Sequence, residues 1–195
     1  MCTHTEELWV KPAVRNLLES LGVPDAKIKL ERAHDLSSPV ELYQQTVNLA
    51  EGELRLSAIV WSPLTTPLKQ SLCYDQTNKT DICKSPPLPA QAASYPYSRA
   101  SVNAELKDSL LNDCLADALA YQGNSREYIV GEVQKAVLYA AANPGGQRAA
   151  ARGTLSTRAA ANHEAMVLIS ESLGSKVILD SIGALRTSPR PRDRN

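Results

Sequence analysis

The side chains best suited to chemistry are few in this chain. Its 195 residues hold three histidines, His4, His34 and His163, so each can be weighed in turn as a base or a metal ligand. His163-Glu164 opens the stretch HEAMV, which lacks the second histidine four residues on that would set two imidazoles on one helical face for zinc. His34 stands before Asp35, a base beside an acid, but the chain has no G-x-S-x-G nucleophile elbow to accompany them. Among the four cysteines, Cys73 and Cys83 bracket the polar stretch YDQTNKTDI. Their spacing suits a disulfide that closes a short loop, and is too wide for a C-x-x-C zinc knuckle. A bridge there points to an oxidising compartment. The glycines and arginines of GGQRAAARG, residues 145–153, lack the lysine-serine of a P-loop and the G-x-G-x-x-G of a dinucleotide fingerprint. The sequence therefore predicts neither a metal site nor a cofactor.

Met1-Cys2-Thr3 resembles the start of N-terminal-nucleophile hydrolases, in which loss of methionine frees a cysteine whose own amine serves as base. Only these three residues carry the resemblance; the asparagine- and aspartate-bearing segments of that family do not follow. The same Cys2 reads alternatively as the lipid-bearing first residue of a mature envelope lipoprotein. A small hydrolase-like enzyme, with a site assembled from Cys2, His34 or His163 and a carboxylate, is the alternative to a non-catalytic reading.

Bulk composition excludes several classes. Hydrophobic residues make up 43% and charged residues 22% of the chain, close to ordinary globular usage. Its 21 basic and 21 acidic residues cancel, so no global field directs it to nucleic acid or to an anionic membrane. No apolar run approaches the roughly 20 residues that span a bilayer, and a soluble protein is expected. Recognition is left to local features. Pro63, Pro67, Pro86, Pro87, Pro89 and Pro96 mark residues 63–98 as a long loop region, with Tyr95 and Tyr97 offering aromatic area to a partner's groove. Residues 186–195 form an Arg/Pro tail, expected to be disordered, in which Arg190 and Arg192 supply positive charge. These features predict a binding or assembly protein that contacts another protein, periplasmic or secreted in the cell envelope, with the cytoplasm as the alternative.

The elements that must hold such features follow from periodicity. Leu8, Val14, Leu17, Leu18 and Leu21 share one helical face before Gly22 and Pro24. KIKLERAH alternates briefly, and TVNLAEGELRLSAIVW alternates on both sides of a turn at Glu51-Gly52, which predicts a hairpin. Two antiparallel helices are expected over residues 101–142, burying Leu106, Leu110, Leu115, Ile129, Val133 and Val137. A third helix is expected from about Thr154 through Met166 and Ile169 to Leu173, with an apolar element of undetermined type after it. The predicted fold class is α+β: a small antiparallel sheet with a hairpin in the N-terminal half, packed against a C-terminal layer of antiparallel helices, in a single domain over residues 1–185.

Overall fold

The computed structural model describes residues 10–33, 36–72, 100–107, 110–111, 115–142, 152–161 and 164–187. It has the α+β architecture: a three-stranded antiparallel sheet in the N-terminal half and several helices in the C-terminal half.

Helix α1 (Lys11–Ser20) has Pro12 in its first turn, where a missing N–H costs nothing. It ends because Gly22 takes a left-handed φ of 79°. The Gly22 N–H then donates to the Glu19 carbonyl and the Val23 N–H to the Leu18 carbonyl, both at 2.9 Å. This is a Schellman closure, and it lets Val23 bury in the same cluster as Leu18. The expected hairpin forms from β2 (Glu41–Leu49) and β3 (Gly52–Val60), where Leu49 pairs with Gly52 around the two-residue turn Ala50-Glu51. Gly52 has a φ of 141°, a value open to a residue without a Cβ. The KIKLERAH alternation yields only the two-residue strand β1 (Glu31–Arg32), which pairs with Gln44 and Tyr43. Buried Gln45 extends that edge. Its amide donates to the Lys27 carbonyl at 2.7 Å and accepts from the Lys29 N–H at 2.9 Å, so one side chain satisfies two backbone groups that the short strand leaves unpaired.

Alternation gives the hairpin two apolar faces. Tyr43 and Val47, with Leu54, Leu56, Ala58 and Val60, belong to a cluster with α1. Leu42 and Ile59, one residue out of phase, belong to a second cluster with α5 (Arg126–Ala142), α6 (Arg152–Ala161) and α7 (Leu173–Thr187). Helix α5 is central to this second core. It packs on α4 (Ala116–Gln122), α6, α7 and β3, and buries Ile129, Val133, Ala136, Val137, Leu138 and Tyr139.

Three expectations need correction. The prolines at 63 and 67 do not enforce a loop: Ser62–Leu64 is a 3₁₀ turn and Thr66–Ser71 is helix α2, with each proline in a first turn that tolerates it. Residues 101–122 are not one buried helix. Between helix α3 (Ser101–Leu106) and α4, the described residues Lys107, Leu110, Leu111 and Leu115 take wider, π-type turns. Leu106, Leu110, Leu115 and Leu119 accordingly lie 39% to 63% exposed, whereas Ile129, Val133 and Val137 are buried as expected. The third helix is Arg152–Ala161, and residues 164–171, with Met166 and Ile169 among them, are not helical.

Ile129→Ala should therefore lower the unfolding free energy by about 2–5 kcal/mol through the cavity it leaves, while Leu110→Ala should change it by less than about 0.5 kcal/mol. Urea denaturation followed by circular dichroism measures both. Equal losses would contradict the exposure of Leu110.

Candidate functional site

The sheet order β1-β2-β3 leaves the outer edge of β3 without a strand among the described residues. A cavity of about 430 Å³ runs along that edge, between α1 on one side and α5 and α7 on the other. Every residue from Leu56 to Ser62 lines it. Successive side chains of a strand point to opposite faces, so only a cavity that follows the strand's edge meets all of them. Every residue from Val167 to Gly174 lines it too. The cavity is thus a slot with β3 on one wall and residues 167–174 on the other.

That segment is unusual in its hydrogen bonding. Among the described residues, the backbone of Ala165 to Ile169 makes no hydrogen bond. Val167 is 83% and Ile169 76% exposed, with Met166 and Leu168 also exposed. Both ends are fixed. Glu164 accepts from Arg55 of β3 at 3.0 Å, and Ser172, with a φ of 52°, turns the chain into α7.

Two polar clusters hold the walls. Asp117 of α4 lines the slot near Ser62; its Oδ2 accepts from Lys69 Nζ of α2 at 2.6 Å and its Oδ1 from the Thr65 hydroxyl. Lys69 is only 2% exposed and Asp117 13%. With both oxygens engaged, this carboxylate ties α2 to α4 and is not poised as a free base. At the other cluster, Asp180 of α7 accepts from Tyr121 of α4, from Arg126 of α5 at 2.7 Å and from Lys176 at 2.6 Å. The bond from Lys176, followed by those from Tyr121 and Arg126, holds the Asp180 carboxyl well below the usual carboxylate range. Burial, and then the bond to Asp180, push the Tyr121 phenol up to about 12. The cluster fixes the first turns of α7, and hence the end of the segment that leads into it.

The residues singled out by sequence, Cys2, His34, Cys73, Cys83, Tyr95, Tyr97, His163, Arg190 and Arg192, all lie outside the described residues. Among the described residues no three His, Cys, Asp or Glu side chains gather in a way that could hold a metal ion. None of their helices is long and apolar enough to cross a membrane. Sequence reading missed Lys69, Asp117 and the unpaired backbone at 165–169. The only local signal for the last was the run MVLI, which fits a strand as readily as a helix.

Lys69→Ala should cost about 3–5 kcal/mol by stranding a buried carboxylate, and the double change Lys69→Met, Asp117→Leu should cost less than the single one. Calorimetric unfolding tests the order of the two. For Asp180, whose folded pKa is depressed, the stabilisation is present above the ordinary carboxylate range and is lost as pH falls below it. For Tyr121, whose folded pKa is raised, it is present below about 10 and is lost as pH rises from there towards about 12. Melting temperatures across pH should fall at both extremes, and Asp180→Asn should flatten the acid limb. Compared with protein-family models, with curated proteins and with solved structures, the chain matches none.

Proposed function

We propose that the protein is a non-catalytic binding protein that acts through protein–protein contacts, taking an extended segment of its partner into the slot along β3. The observation that carries this reading is the open outer edge of β3 along an apolar slot whose other wall includes the exposed Val167, Leu168 and Ile169. An exposed strand edge is a template for another chain, and an added strand gains affinity from main-chain hydrogen bonds and specificity from alternate side chains. The slot's volume and largely apolar lining suit the burial of side chains from an inserted strand. Apolar side chains left as exposed as Val167 and Ile169 gain by being covered.

In this reading Tyr95 and Tyr97 add aromatic contacts with the partner, and Arg190 and Arg192 tune association rate and salt dependence. A Cys73–Cys83 disulfide and a place in the cell envelope belong to the same proposal.

Val167→Asp, at a side chain 83% exposed, should leave stability within about 0.5 kcal/mol of wild type but abolish partner capture from the source cells. Replacing residues 74–98 by a Gly-Ser linker should weaken capture and leave it detectable. Retention of every specific partner by the Val167→Asp protein would remove the slot from the proposal. Intact mass of the natively isolated protein, with and without reductant, reads the cysteine state; free thiols at both Cys73 and Cys83 would return the protein to the cytoplasm.

A further inference from the structure

An endopeptidase cuts a folded protein where it can draw a stretch of chain into its own cleft, which requires exposed backbone outside helix and sheet. Residues 164–171 meet that condition. They belong to no helix or strand, the backbone of Ala165 to Ile169 makes no hydrogen bond among the described residues, and every residue from Glu164 to Ser172 is exposed. No other exposed run among the described residues is longer than four. The stretch also carries side chains for a protease to grip. Met166 and Leu168 are 49% and 46% exposed, and Val167 and Ile169 more so. All the other large apolar side chains exposed among the described residues stand in helical turns or, at Leu21, on the cap of α1, where the backbone is bonded. Among the described residues, exposed apolar side chains and unbonded backbone coincide only at 166–169.

We infer that residues 165–169 are a processing site for an endopeptidase with an apolar primary pocket, which cuts the folded protein after Met166 or Leu168 into two chains that stay together. Water is the co-reactant. Its oxygen adds to the carbonyl carbon of Met166 or Leu168, the C–N bond to the next residue breaks, and the new ends are a carboxylate and an ammonium that takes both water protons. The fold does not need that peptide bond. On one side of the cut, α6 stays on α5 through buried Leu155. On the other, α7 is held to α5 and α4 by buried Val177, by the bond from the Gln134 amide to the Ser181 carbonyl, and by the bonds from Tyr121 and Arg126 to Asp180. A cut between two helices so anchored leaves both in place.

Limited digestion of the full chain with chymotrypsin, whose primary pocket is an apolar slot, tests this, with the fragments identified by mass. The cut after Met166 or Leu168 should run at least about tenfold faster than any cut at the exposed leucines of α3, α4 or α7, whose helices must open first. The two products should co-elute in size exclusion and keep the circular dichroism of the uncut protein. Met166→Asp together with Leu168→Asp, both at exposed positions, should remove that cut and leave the circular dichroism unchanged. If the double variant does not fold, the wild-type digestion still decides the site. Cutting at 166–169 no faster than in the helices would overturn the site. An unchanged rate in the folded double variant would overturn the apolar specificity, and separation of the two chains would overturn the two-chain product.

Discussion

From Ile129 to Ala142 helix α5 has no fully exposed residue, and that requirement for cover on every side organises the molecule. A helix that is buried all round needs neighbours on each face. Those neighbours are α4, α6, α7 and, through β3, the inner face of the sheet. The polar residues of α5 must then find partners inside. Glu132 accepts from Ser38 at 2.7 Å and from Lys135 at 2.6 Å, and the Gln134 amide donates to the Ser181 carbonyl at 3.0 Å. Each of these bonds satisfies a group that would be costly to bury alone, and the bonds to Ser38 and Ser181 fix where the strand-leading loop and α7 sit on α5.

The same requirement explains why the edge of β3 is left open. Helix α7 is held against α5 by Val177 and Ser181, so the chain leaving α6 must cross the outer side of β3 to reach it. Arg55 anchors it at Glu164, and Ser172, with a left-handed φ, turns it into α7. It stays separate from β3, with the slot between them. The apolar character of residues 166–169 is therefore not consumed by the fold. Unspent apolar surface with unpaired backbone beside an open strand is the feature that most separates this molecule from a self-contained α+β domain.

Charge works on a smaller scale. The overall balance of acidic and basic residues gives no steering field, yet two local clusters secure the helices around the slot. Lys69 with Asp117 joins the short α2, at the exit of β3, to α4. Asp180, receiving three donors, joins α4, α5 and α7 at one point. Each cluster ties the short helix α4 to its neighbours.

Local physics made some of this legible from sequence. The glycine that ends α1, the hairpin, whose turn falls at Ala50-Glu51 rather than the expected Glu51-Gly52, and the buried stripe of Ile129, Val133 and Val137 all depend on near neighbours, whose conformational limits and periodicity are written in order along the chain. Other features were not legible. Leu106, Leu110, Leu115 and Leu119 recur at a helical period that looks buried, and only the π-type turns and the saturation of α5 by other partners leave them exposed. The run at 166–169 supports helix or strand equally by its composition, and in the fold it is neither. Lys69 and Asp117, forty-eight residues apart, are ordinary surface charges until α2 and α4 bring them within 2.6 Å. Sequence fixes what a segment can do with its neighbours; which faces are covered, and which remain open, is a competition for burial that only the folded chain decides.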